Sequence, residues 1–321
     1  MVHHFITGVA GFIGSHLADS LLADGHYVSG IDDFSLGRRD YLEAARASGR
    51  FQLVDGDCSR ADNVRDALSV VTAWGGVPDM IWHMAANSDI AAGVADATID
   101  FSRTLQTTFA AIEAARSAGV RRIAFASSSA VYGERDDLLT EDSGPLLPIS
   151  NYGATKLAGE GLLSAAAESF LDASWIFRFP NVVGPRPTHG VIFDFARRLA
   201  RDPLRLEVLG DGAQEKAYLH VSELVSALRF ACDHSQAKRN VFNIGPEGQG
   251  TRVSVIAEKT VAAMAPGAKI VYGGGDRGWV GDVPRFRYST EKLALLGWRP
   301  QMSSDAAVLR AITEIAAAVR G

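Results

Sequence analysis

The chain has 321 residues, 47% of them apolar and 21% charged, with a net charge of -5. Such a composition suits a globular enzyme of one large or two modest domains with a sizeable core. The acidic balance, free of any Lys/Arg block, argues against a nucleic-acid surface, and no apolar run reaches the roughly 18 residues of a membrane-spanning helix. The N-terminus runs straight into a strand pattern without a signal-peptide signature, so a cytoplasmic protein is expected. Cys58 and Cys232 are expected as reduced packing residues. The eight histidines lack H-E-x-x-H or C-x-x-C companions, so no metal is expected.

Strand-like and helix-like runs alternate through the first half. Residues 2–7 read as a strand, and 12–23 as a helix with Ile13, Leu17, Leu21 and Leu22 on one face. A strand at 27–31, a helix near 41–47 and a strand at 51–54 follow. Next come a helix around 63–73, a strand at 80–84 and a long helix over 97–118. A strand at 122–126, a second long helix at 152–170 and a strand at 173–177 complete this half. The alternation predicts an α/β fold with a parallel sheet covered by helices on both faces.

The pattern breaks after Arg178, where Pro180, Gly184, Pro185, Pro187 and Gly190 fall close together. Beyond lie a helix at 191–201, a loop at 210–214, a helix at 222–232, a strand at 241–244 and a last helix at 304–319. Residues 273–275 and 278–284 read as a second irregular patch. We expect residues 1–178 to form a dinucleotide-binding domain to which 215–245 return. Residues 179–214 and 246–321 are expected to form a smaller α/β substrate domain, with the active site in the cleft between the two.

Gly8, Gly11 and Gly14, with Phe12 and Ile13 between them, follow a strand and open a helix. The first glycine permits a tight turn, the second lets backbone N–H groups approach a pyrophosphate, and the third allows close helix–strand packing. The sheet is therefore expected to be doubly wound, of the Rossmann type. Asp32 ends the next strand, where a carboxylate accepts the ribose hydroxyls of NAD and repels a 2′-phosphate. Asp33 adds negative charge; Arg38 and Arg39 are the counter-signal and are read as surface charges. Asp57 and Cys58 follow the third strand, and Met84, Ala85 and Ala86 follow the fourth, close to where a cofactor would lie. NAD is the expected cofactor.

Ser127-Ser128-Ser129 begins a turn after the fifth strand, and Tyr152 precedes Lys156 by one helical turn. In this arrangement the tyrosine supplies a phenolate base and the lysine's cation lowers the phenol's pKa. The serine hydroxyl hydrogen-bonds the reacting oxygen. With the glycine turn upstream, these residues describe hydride transfer between an alcohol carbon and a nicotinamide.

With these motifs the chain resembles the extended short-chain dehydrogenases/reductases, in the group of NAD-dependent nucleotide-sugar epimerases and dehydratases, with UDP-glucose 4-epimerase as the nearest activity. The resemblance rests on 7–14, Asp32, 83–86, 127–133, Tyr152 and Lys156, 178–185, 210–214 and 281–284. It implies that Ser128, Tyr152 and Lys156 are catalytic and that Pro180 lies by the cofactor. It also implies that Asn181, Val191, Lys216, Arg277, Asp282 and Phe286 serve the substrate. Lys216 stands for the usual arginine, and Trp279 occupies another arginine position, so that Arg277 would reach in instead. Thr104 replaces a frequent asparagine of the cofactor pocket. Relatives that dehydrate sugars carry an Asp-Glu pair after the catalytic Ser/Thr; Ser129 and Ala130 stand here instead, which favours a 4-epimerase.

The expected substrate is a nucleotide-sugar, a UDP-hexose, with Phe286 crowding an N-acetyl group. The rivals are a reductase, a decarboxylase, another epimerase, or a binding protein that senses its cofactor. Small and apolar residues at helical spacing (Leu105, Phe109 and Ile112 in one long helix; Leu157, Gly161 and Ala165 in the other) predict a homodimer joined through four helices.

Overall fold

The computed structural model describes residues 1–135, 137–235, 237–275 and 287–320. The first half alternates as its sequence pattern dictates: β1 (His3–Thr7), α1 (Phe12–Ala23), β2 (Tyr27–Asp32), α2 (Glu43–Ala47), β3 (Phe51–Asp55), α3 (Ala61–Gly75) and β4 (Met80–His83). The short helices α4 (Ile90–Ala95) and α5 (Ala97–Asp100) come next, and α5 runs through a wide-turn π segment, Phe101–Gln106, into α6 (Thr107–Ala118). Then come β5 (Arg122–Ala126), α7 (Asn151–Ser169) and β6 (Ala173–Arg178).

The second half contains β7 (Asn181–Val183), α8 (Val191–Arg201), β8 (Arg205–Val208), β9 (Glu215–Lys216), β10 (Tyr218–His220) and α9 (Val221–His234). It continues with β11 (Arg239–Asn243), β12 (Thr251–Arg252), α10 (Val253–Met264), β13 (Lys269–Tyr272), α11 (Glu291–Leu296) and α12 (Ser304–Arg320).

Seven strands form one parallel sheet in the order β11-β6-β5-β4-β1-β2-β3. Strands β1, β4 and β6 are buried along their whole length because helices cover both faces. One face packs Leu17, Leu21 and Leu22 of α1 and Leu224, Leu228 and Cys232 of α9. The other packs Val64 and Leu68 of α3, Ala110 and Ile112 of α6, and Leu163 and Ala166 of α7. The doubly wound fold predicted from the alternation is the fold observed. Its order reverses between β1 and β4, which opens a crevice at the carboxyl ends of these strands.

The chain after Arg178 holds more regular structure than its prolines suggest. Strand β7 pairs with β10, β9 with β12, and β8 with β13. A separate core of Phe195, Leu199, Ile256, Val261, Val308 and Ile312 joins α8, α10 and α12. Strand β11 returns to the edge of the main sheet beside β6.

Candidate active site

The turn between β1 and α1 is built by missing side chains. Gly8 has φ of 69°, and a Cβ there would sit 2.9 Å from the Ala85 backbone. A Cβ at Gly14 would overlap the Gly8 carbonyl. The result is a smooth cradle at a helix N-terminus, where backbone N–H groups and the helix dipole favour an anion. Asp32 closes one side. Its carboxylate accepts the Ala10 and Phe34 N–H groups, each at 2.8 Å, while burial pushes its pKa up. Arg38 and Arg39 pair at the surface with Asp40 and Asp55, which competes with any contact of either guanidinium with a 2′-phosphate.

Lys156, 2% exposed, reaches the same crevice from α7. Its ammonium donates to the Ala126 carbonyl at 2.5 Å, lies 4.8 Å over the Phe125 ring and stands 5.7 Å from the centre of the Tyr152 ring. Burial lowers its pKa to about 7, against the fields of Asp100 and Glu160, which raise it. Burial pushes the Tyr152 phenol up to about 12; a hydrogen bond with Ser128 pulls it down and Asp100 pushes it further up. The sequence predicts a phenol lowered by its lysine. Desolvation prevails at the phenol, and the hydrogen bond that eases its ionisation is the one with Ser128. Ser128 begins the short helical turn Ser129–Tyr132, where its hydroxyl also accepts the Ala130 N–H at 3.1 Å.

One pocket brings together Gly8, Gly11, Phe12, Ile13, Gly14, Asp32, Asp33, Asp57, Cys58, Met84, Ala85, Ala86, Tyr152 and Lys156. Asp57 also caps its own turn by accepting the Ser59 N–H, and burial pushes the Cys58 thiol up into an inert range. Sequence reasoning missed Asn87, Ser88, Arg103, Thr107, Phe179 and His189, which share this wall. Thr188 and His189 carried no signal, because they arrive from an irregular segment far along the chain. Pro180, Asn181, Val191 and Lys216 are outside that wall; Asn181 is exposed, and its amide faces the Ala217 carbonyl at 3.5 Å. Arg277, Trp279, Asp282 and Phe286 lie outside the described residues.

Two further networks frame the pocket. Arg178, at the end of β6, pairs with Glu160 of α7 at 2.6 Å, both nearly buried, and Glu160 also accepts the Ser127 hydroxyl. Residues 185–187 lie as a strap against α1 and the chain after β2. Here His16 donates to the Pro185 carbonyl at 3.0 Å, Arg186 pairs with Asp19 at 2.7 Å, and the Tyr41 hydroxyl donates to the Pro187 carbonyl at 3.1 Å. Arg186 has φ of 61°, a strained conformation for a residue with a side chain.

The glycine cradle and the strand-end carboxylate fit NAD: Gly8, Gly11 and Gly14 would admit its pyrophosphate, and Asp32 would accept its ribose hydroxyls. The sequence profile described as the NAD dependent epimerase/dehydratase family matches residues 4–245. The chain is 34% identical over 310 residues to a UDP-glucose 4-epimerase of Mycolicibacterium smegmatis, covering 93% of each. It superposes on a crystal structure of a UDP-galactose 4-epimerase with a TM-score of 0.84 and 34% identity, covering 99% of both chains. A Thermus thermophilus UDP-glucose 4-epimerase in complex with NAD matches with a TM-score of 0.84 and 26% identity, over 97% of this chain and 98% of the other. Sequence, fold and cofactor cradle agree: the chain belongs to the NAD-dependent epimerase/dehydratase family.

Proposed function

We propose that the chain is a nucleotide-sugar 4-epimerase acting on a UDP-hexose, with UDP-glucose and UDP-galactose as its pair. The observation that carries this reading is the Ser128–Tyr152–Lys156 group beside the glycine cradle, followed by Ser129 and Ala130, which can serve as neither acid nor base. Bound in that cradle, NAD supplies a reversible hydride acceptor for C4 of the sugar. Tyr152 takes the proton of the C4 hydroxyl and returns it to the same oxygen once the sugar has turned and C4 has regained hydride on its other face. Ser128 hydrogen-bonds the same oxygen and stabilises the phenolate. Lys156 places positive charge beside the base. Asn181, Val191, Lys216, Arg277 and Asp282 hold the nucleotide end and leave the sugar free to turn. Phe286 disfavours N-acetylated sugars. Two buried thiols, Cys58 and Cys232, suit the reducing cytoplasm in which we place the protein.

The test is incubation with UDP-, dTDP-, GDP- and CDP-sugars without added reductant, read by proton NMR. Inversion at C4 of UDP-glucose and UDP-galactose is expected. A requirement for stoichiometric NADH would instead mark a reductase. A 4-keto-6-deoxy product would mark a dehydratase, and either outcome ends the epimerase reading.

A further inference from the structure

Asp100 is the last residue of α5 and 1% exposed, and none of the ion pairs among the described residues involves it. One carboxylate oxygen, Oδ1, accepts the Asn87 side-chain amide at 2.8 Å; the other, Oδ2, is buried without a hydrogen-bond partner. A carboxylate so placed is costly, so its retention calls for a cause. Its surroundings are shaped for it. A Cβ at Gly93 would collide with Oδ2, so the absent side chain makes its room. Asn87 is itself fixed, its N–H donating to the Thr104 hydroxyl at 3.1 Å and its amide also to the Asp89 carbonyl at 2.8 Å. The Asn151 side chain, next to Tyr152, donates to the Gly93 carbonyl at 3.0 Å and ties this cluster to the catalytic helix. The π segment starts at the following residue, a distortion frequent at functional sites.

We propose that Asp100 is the counter-charge of the Tyr152–Lys156 pair, a positioning residue held by Asn87 and Gly93 that keeps Lys156 in its ammonium form. This deepens the epimerase reading and rests on it for the roles of the pair. The other charges nearby do not fill this role. Glu160 also raises Lys156, second to Asp100, but its carboxylate is already paired with Arg178; His83, stacked on Phe125, is held neutral by burial, with a pKa near 3. Burial raises the pKa of Asp100 itself, the Asn87 hydrogen bond and the charge of Lys156 lower it, and Asp89 adds a small push upward. Asp100 in turn raises both Lys156 and Tyr152, because a negative charge favours the protonated form of each.

The sign of the test follows. In Asp100→Asn both groups lose their protons at lower pH. The acid and alkaline limbs of the pH profile for kcat therefore move together towards acid, by about one pH unit. A second readout needs no substrate: tyrosinate absorbance titrated in the parent and in Asp100→Asn, each corrected with its Tyr152→Phe counterpart. Tyr152 ionising about one pH unit lower in the variant is expected. Should Asp100→Asn not fold, Gly93→Ala displaces the carboxylate and should shift both readouts in the same direction by less. A folded variant with reduced kcat but unmoved limbs and an unmoved titration overturns the proposal. The titration decides it even if no sugar of the panel turns over.

Discussion

Tyr152 and Lys156 are both pushed by burial towards their neutral forms, and this gives each a separate test. Tyr152→Phe removes the base while leaving the glycine cradle intact. It should retain NAD binding and lose about 10²–10⁴-fold in kcat; a near-parental rate would take Tyr152 out of the mechanism. Lys156 sits at about 7 in the folded protein, against about 10.4 in an unfolded chain. Between those values the unfolded chain holds the extra proton, so folding grows more favourable as pH rises through this window. Lys156→Met should therefore melt higher than the parent at pH 6.5, with an advantage that shrinks by pH 9; a difference independent of pH would contradict the cause given. Asp32→Ala should weaken NAD and narrow its margin over NADP in a binding titration, because the carboxylate that repels a 2′-phosphate is removed; the surface pairing of the two nearby arginines keeps the margin from reversing. A parent that prefers NADP would reverse that account. The glycine turn, Asp32, Ser128, Tyr152 and Lys156 were legible because their motifs are local in sequence. Asn87, Asp100 and His189 were not, since their role depends on burial and on a chain crossing that no spacing reveals.

Most of the elements with long periodicity were readable. Helix α8 begins and ends at the predicted residues, and α7 is offset by one residue at each end. Strands β7, β9 and β12 are only two or three residues long, and β7 and β12 adjoin a proline or glycine, so no alternation could mark them. Helix α10 did carry a signal, Ile256, Thr260 and Val261 facing inward at helical spacing, which the reading passed over. The helix predicted over 97–118 exists, but it widens at 101–106, a change of hydrogen-bond pattern that side-chain periodicity does not disclose. Between elements, the Arg178–Glu160 pair pins the end of β6 to α7 one turn beyond Lys156. Removing one partner leaves the other charge buried alone, so Glu160→Ala should cost about 3–5 kcal/mol in urea unfolding. A loss under about 1 kcal/mol would show the pair to be solvated in practice.

At the scale of the whole molecule, Phe109, Gly161 and Ala165 of the expected dimer face are exposed, as is Phe101, whereas Leu105 and Leu157 are half-buried and Ile112 packs into the core of its own sheet. We propose that these helices meet their symmetry mates in a homodimer. Phe109→Lys should convert the protein to a monomer in light scattering at micromolar concentration, and a parent of monomer mass would dispose of the dimer. The strap at residues 185–187 carries a different consequence. On the proposed 4-epimerase reading, the dinucleotide ends each turnover in the oxidation state in which it began, so catalysis places no demand on exchange with the surrounding pool. We propose that these three tethers, which hold the chain just before Thr188 and His189 of the pocket wall, slow release of the dinucleotide. Arg186→Gly would relieve the strain and also remove the link to Asp19, and should release bound dinucleotide faster in a chase experiment without changing the chemistry at C4. An unchanged release rate would show that the strap opens freely.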